Sequence, residues 1–271
     1  MNYDCFRLLG RVSLFKLAVY SVLFAYCGLI LALLGANVAY VEPAEFFGIF
    51  QNPDLRYAAW LTLWTSLSSA ALALLTAVPT AFALSRLRLP GKALLDALVD
   101  LPIVLPHLVI GVMLLVFFRT PFGQAIESWG LPFVFAPAGI VLAQFLCVSP
   151  FAVRTVKSAL DGVDPRLENV ARTLGWSPGQ VFLRVTLPMI RNGIVAGGVI
   201  AWALAMGLYG PMMIFAGTTR QRTEVLASSV YLELSVGRIG VALAVSMAMV
   251  IFAIFALWLF KRFAGGGKSP W

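Results

Sequence analysis

Few side chains in this sequence could carry chemistry, and each lacks the context that chemistry needs. The single histidine, His107, lies in Leu101-Pro102-Ile103-Val104-Leu105-Pro106-His107. An imidazole in an apolar run can relay protons, but a relay needs an ionisable partner and none accompanies it. Its other reading is a packed, hydrogen-bonded ring beside a proline kink. Gly265-Gly266-Gly267-Lys268-Ser269 ends like a phosphate-binding loop, yet the first glycine of that motif would fall on Arg262, with no strand before it and no helix after. It reads as a basic tail, so ATP hydrolysis is not expected of this chain. Asp96 and Asp100 stand at the entrance of an apolar run. No nucleophile–base pair or carboxylate dyad is visible, so no catalytic residue is expected. Cys5, Cys27 and Cys147 are scattered without metal spacing, so neither a metal site nor a disulfide is expected.

The elements that would position these residues are membrane spans. The 271 residues are 61% hydrophobic and 12% charged, outside the range of soluble domains. Runs of roughly 20 apolar residues suffice to cross a bilayer as helices. Six such runs occur, at about Leu14–Val38, Tyr57–Leu84, Leu101–Phe118, Ala136–Val153, Gly193–Phe215 and Ile239–Phe260. The short alternating segments of a β-barrel are absent. The first run is too long for the apolar region of a signal peptide, so it is kept as a span. The expectation is an all-α polytopic membrane protein forming a single transmembrane domain over 1–271, with its core at about 57–260.

A net charge of +8 could suggest nucleic acid, but the placement of the charges argues otherwise. Fifteen of the 20 basic residues fall before span one, between spans two and three, between spans four and five, and after span six. The remaining five (Arg56, Arg119, Arg220, Arg222 and Arg238) fall on the opposite face. The positive-inside rule then puts the basic face, and both termini, in the cytoplasm. No nucleic-acid partner is expected; membrane lipid is.

Between spans four and five, the segment 154–191 interrupts the hydrophobic pattern with two capped helices. Asp164 is a good N-cap with Pro165 at the first helical position. Leu167, Val170, Ala171 and Leu174 follow at i, i+3, i+4 and i+7 as one apolar face, and Gly175 supplies the stop. Ser177, Pro178 and Gln180 make a second start with a capping box, and Pro188 is expected to close that helix after Leu187. Such an element is either a plug for a partner or a cap packed on the protein's own helices.

This segment resembles the EAA-type signature of binding-protein-dependent ABC importer permeases: E-A-A, three residues, G, nine residues, I, one residue, L-P. The matching positions are Asn169, Val170, Ala171, Gly175, Val185, Leu187 and Pro188, so the spacing is kept while Asn169 replaces Glu, with Glu168 one place earlier. The form Leu-Glu-x-Val-Ala-Arg-Thr-Leu-Gly is similar to that of the molybdate, tungstate and sulfate permeases. So are Phe82-Ala83-Leu84-Ser85-Arg86 through Pro90-Gly91-Lys92 into Leu98–His107, and Phe215-Ala216-Gly217 through Arg222-Thr223, Leu226 and Tyr231 to Ala242–Ser246. Related permeases for iron, thiamine or phosphonates share the same frame.

The resemblance implies the six-helix type I (MetI-like) permease fold with both termini cytoplasmic. It implies as partners an ABC ATPase dimer that binds ATP and Mg, a second permease copy or a paralogue, and an external substrate-binding protein. ATPase coupling would fall to Leu167, Glu168, Asn169, Val170, Ala171, Leu174, Gly175, Trp176 and Pro188. Candidates for the translocation pathway are Pro102, Pro106, His107, Leu208, Tyr209 and Gly210, the last three standing where the oxyanion group commonly has Glu-Phe-Gly. Pro102 and Pro106 read either as a pathway hinge or as a static kink. On the opposite face Thr218, Thr219, Arg220 and Arg222 are candidates for contact with the binding protein, or else a solvated loop. A proton-coupled carrier is disfavoured by the uncharged span interiors, and a membrane enzyme by the missing constellation.

Overall fold

The computed structural model describes residues 4–264, and the Gly265–Ser269 tail lies outside them. The elements are α1 (Asp4–Tyr40), α2 (Pro43–Gly48), α3 (Pro53–Arg86), α4 (Lys92–Val104), α5 (His107–Arg119), α6 (Pro121–Glu127) and α7 (Pro137–Asp161). They continue with α8 (Pro165–Thr173), α9 (Pro178–Val181), a π-helical segment Phe182–Thr186, α10 (Leu187–Gly207), α11 (Gly210–Phe215), α12 (Leu226–Ser235) and α13 (Ile239–Ala264). The described residues contain no strand. Five stretches, Phe15–Tyr40, Pro53–Arg86, Pro137–Asp161, Pro178–Gly207 and Ile239–Leu259, are long and apolar enough to cross a membrane.

The expected third span is different: α4 and α5 meet at an angle of 110°. Pro106 has no N–H to donate and forces Leu105 into an extended conformation (φ −69°, ψ 136°), which ends α4 and starts α5 afresh. Pro102 is absorbed inside α4. The expected fifth span, Gly193–Phe215, is also two pieces. It runs as α10 to Gly207 and restarts as α11 at Gly210, because Pro211 expels its neighbourhood from the helix and two glycines weaken it. A third correction concerns Pro188, which does not close the second short helix. The chain passes from α9 through the π-segment into α10 without a stop, and Leu187 N–H bonds to the Phe182 carbonyl five residues back. The wider π-turn absorbs a stretch that would otherwise kink at a proline.

At the centre, α3, α7 and α10 pack closely because small residues line their contacts. Ala70, Ala73, Ala77 and Ala81 of α3 and Ala143 and Ala152 of α7 are buried. A Cβ on Gly193 would lie 2.3 Å from the Ala159 Cβ, so α10 approaches α7 at a distance only glycine permits. The two broken spans touch in the same way: a Cβ on Gly111 of α5 would stand 2.7 Å from the Pro211 carbonyl of α11.

Candidate functional site

The capped segment folds as its sequence predicts at both starts. Asp164 accepts from the Arg166 N–H at 2.9 Å, and Ser177 and Gln180 form the reciprocal capping box. Between them Gly175, at φ +87°, turns the chain in the left-handed region. Its N–H bonds to the Arg172 carbonyl at 3.0 Å and the Trp176 N–H to the Ala171 carbonyl at 3.3 Å, the paired bonds of a Schellman stop. The Arg184 guanidinium covers the half-buried Trp176 ring at 5.6 Å.

What braces this element comes from far away in the sequence. Arg86, the last residue of α3, donates from Nε to Glu168 Oε1 at 2.9 Å and from Nη2 to the Leu160 and Val163 carbonyls at 2.9 and 2.8 Å. Thr186 in the π-segment donates to the same Glu168 oxygen at 3.2 Å. The Arg86 and Glu168 side chains are only 11% and 5% exposed. One guanidinium therefore joins α3, the end of α7 and α8, and through Glu168 the entry to α10. Alongside it, Ser85 donates to Asp161, which Lys157 also contacts at 2.9 Å. Phe82 packs edge-on against Phe182 at 4.9 Å.

The expected single apolar face is divided. Ala171 is buried together with Glu168, so Glu168 holds the element in place rather than facing outward. Leu167, Val170 and Leu174 are 46%, 57% and 74% exposed, with Asn169 exposed beside them. Three apolar side chains on an otherwise charged helix, held out by a buried brace, form a presented patch. Pro188 lies exposed near the start of α10.

A second constellation lies at the broken spans. His107, Leu208, Tyr209 and Gly210, with Ala203, Leu204 and Gly207, line a cavity of about 320 Å³. Pro106 is the N-cap of α5, directly before His107, and does not itself line the cavity. Pro102 does not join them; it lines a separate apolar cavity with Leu98, Leu105 and Met113. The Tyr209 ring lies 5.5 Å from that of Tyr231, which brings α12 to the same elbow. The sequence offered one unused signal here, a lone Gln144 in an apolar run, which is wholly buried and bonded to the Ala205 carbonyl.

On the face opposite the basic one, the turn holding Thr218, Thr219, Arg220 and Arg222 is tied down. The Thr219 carbonyl accepts the N–H groups of Arg222, Thr223 and Glu224, and Arg222 accepts through its carbonyl from the Tyr57 hydroxyl at 3.3 Å. Arg220 pairs with Glu233 at 2.7 Å and Asp54 at 3.5 Å, so much of its charge is spent internally. Beneath the turn Glu224 is wholly buried, with one oxygen accepting from Ser229 at 2.8 Å. Burial pushes its carboxyl above the usual range; the Ser229 bond and Arg220 oppose this, while Asp54 and Glu233 add to it. Among the described residues, no group of three or more His, Cys, Asp or Glu side chains could hold a metal ion.

Residues 71–265 match the family described as the binding-protein-dependent transport system inner membrane component. The chain is 36% identical over 213 residues to the molybdenum transport system permease protein ModB of Escherichia coli, covering 74% of this chain and 93% of that one. It is 30% identical over 252 residues to the sulfate transport system permease protein CysT of the same organism, covering 91% and 90%. It is 36% identical over 213 residues to the molybdate/tungstate transport system permease protein WtpB of Thermococcus kodakarensis, covering 78% and 81%. In fold it is similar to a bacterial alginate ABC transporter chain, with TM-score 0.70 at 21% identity over 98% of each chain. A chain of the MetNI methionine ABC transporter gives TM-score 0.61 at 20% identity, over 78% of this chain and 95% of that one.

Proposed function

The chain belongs to the family of inner membrane components of binding-protein-dependent transport systems, and on that premise we propose that it conducts an inorganic oxyanion, molybdate, tungstate or sulfate, into the cell. As an ABC importer permease subunit of the inner membrane it is a transporter component rather than an enzyme. The basic face is cytoplasmic, and both termini lie there. A separate ATPase dimer binds ATP and Mg and docks on α8. A second permease copy or a paralogue completes the pathway, and an external binding protein delivers the anion.

The observation that carries this reading is the braced patch of Leu167, Val170 and Leu174. A helix that merely capped its own bundle would bury those side chains, since each exposed aliphatic side chain forfeits roughly 1.5–3 kcal/mol of burial. A partner that covers them recovers that energy. Because Arg86 and Glu168 join the patch to α3, α7 and α10, a push on α8 is delivered to the spans rather than absorbed locally. The oxyanion class is supported by the relatives' names and by the elbow, whose cavity is lined by His107 and Tyr209 and by no carboxylate. A lining without a carboxylate sets no fixed negative charge against an anion, which suits passage with affinity left to the binding protein.

The test is uptake into proteoliposomes holding this chain with its ATPase and binding protein. ATP-dependent accumulation of radiolabelled molybdate, tungstate or sulfate is expected. ATP-dependent uptake of a different solute, with none of these anions moved, would overturn the substrate class while leaving the permease role.

A further inference from the structure

We infer that Gln144 is a positioning residue that sets the elbow of the fifth span, and with it the cavity shared by His107 and Tyr209. What the elbow does in transport rests on the permease reading above; its geometry does not. Gln144 lies on α7 with no exposed surface. Its Nε2 donates to the Ala205 carbonyl at 3.0 Å, and its Oε1 lies 2.9 Å from Ser69 Oγ on α3, a hydroxyl that also has the Thr65 and Val141 carbonyls at 2.7 and 3.0 Å. Ala205 lies two residues before α10 ends, and in an unbroken helix its carbonyl would accept the Tyr209 N–H. Tyr209 instead takes φ −131°, outside the helix, and the remaining backbone donor to Ala205 is the Leu208 N–H at a long 3.3 Å. The Gln144 amide thus stands in for the next turn of α10, supplying the shorter of the two bonds to a carbonyl otherwise left with that long contact in an apolar interior.

A residue needed only for packing at this point would be apolar, because a buried amide costs free energy unless both its ends are bonded. Here the Nε2 end is bonded to α10, and the Oε1 end lies within hydrogen-bond distance of the Ser69 hydroxyl of α3. The amide therefore fixes α10 against α3 and α7 one turn before the elbow. Pro211, Gly207 and Gly210 weaken the helix near that point, while Gln144 specifies where α10 stops. Removing the amide leaves the Ala205 carbonyl free to take the Tyr209 N–H, so that α10 lengthens and position 209 turns away from the cavity.

The test uses Tyr209→Cys in a chain whose three native cysteines are replaced, assembled in proteoliposomes and labelled with a water-soluble maleimide. Gln144→Met, which keeps the volume without the amide, is expected to slow labelling about fivefold or more, the factor for one lost buried hydrogen bond. Gln144→Glu, which in its neutral form can still donate and accept, should restore the parent rate. In chains retaining Tyr209, Gln144→Met should lower the maximal rate of molybdate uptake without moving the half-saturating concentration. Unchanged or faster labelling in Gln144→Met would overturn the inference. If that variant does not accumulate, Gln144→Leu, which also removes the donor to the Ala205 carbonyl, decides: slower labelling supports the inference and an unchanged rate refutes it. If the unaltered chain moves no oxyanion, the substrate reading fails, and the labelling rates still judge the elbow.

Discussion

Replacing Arg86 by methionine should loosen the presented helix while leaving its exposed surface intact. The substitution keeps an apolar stem but removes four hydrogen bonds: one to Glu168, one each to the Leu160 and Val163 carbonyls, and a longer one to the neighbouring Ser85 hydroxyl. Glu168, 5% exposed, is left with the Thr186 hydroxyl as its remaining side-chain partner. Removing one member of a buried pair typically costs ~3–5 kcal/mol, because the other charge stays uncompensated. Since each ~1.4 kcal/mol is a factor of ten, local opening of α8 should become on the order of 100-fold or more easier. Amide hydrogen exchange over Glu168–Thr173, followed by mass spectrometry in detergent micelles, reads that opening directly. Exchange should accelerate in α8 and at the end of α7, while the middle of α3 stays protected. The double variant Arg86→Met/Glu168→Met should cost less than the sum of the two single variants, since it leaves no unpaired charge. Exchange unchanged in Arg86→Met, or simple additivity in the double variant, would refute the idea that this pair braces the element.

Gly175→Pro should abolish substrate uptake while the chain remains in the membrane, because proline cannot adopt φ +87° and lacks the N–H that bonds to Arg172; uptake at the wild-type rate would contradict the role of the turn. Glu224 predicts a pH effect whose sign follows from its raised folded-state value. The unfolded chain releases this proton near ~4.3 while the folded chain keeps it, so stability falls as pH rises from there towards the folded value and then levels off. Glu224→Gln retains an acceptor for Ser229 and removes that loss. Its unfolding midpoint should therefore gain on the wild type as pH rises through this window, and a gain on acidification would show the sign to be wrong.

Much of the presented element was legible because its determinants are local. Asp164, Gly175 and the Ser177–Gln180 box act within a few residues of themselves, and each folds as the spacing predicts. The brace was not legible: Arg86 and Glu168 lie 82 residues apart, and each alone reads as a solvated charge. Burying Glu168 also divided the expected face, since Ala171 follows it inward while Leu167, Val170 and Leu174 stay out. Apolar runs located the spans but not their breaks, because hydropathy does not record a missing N–H. Pro106 and Pro211 break their helices, whereas Pro102 and Pro188 are accommodated within helical stretches. The difference lies in the neighbours: Gly207 and Gly210 weaken one stretch, and a π-turn absorbs the strain in the other. Gln144 was visible as a residue but not as a cap, because its partners are a serine and a carbonyl on two other helices. On the opposite face, one of the two arginines singled out for an external contact, Arg220, is held by acids that flank it in space, Asp54 and Glu233.

The most direct test of the docking role is co-purification of the ATPase from detergent-solubilised membranes, using the wild-type chain and Leu167→Asp/Leu174→Asp. Both positions are exposed in the isolated chain, so the charges should cost little in folding but be expensive to bury under a partner. The ATPase should accompany the wild type and be lost from the variant, with the two chains unfolding at the same temperature. An ATPase retained by the variant, or absent from the wild type, would contradict docking on α8.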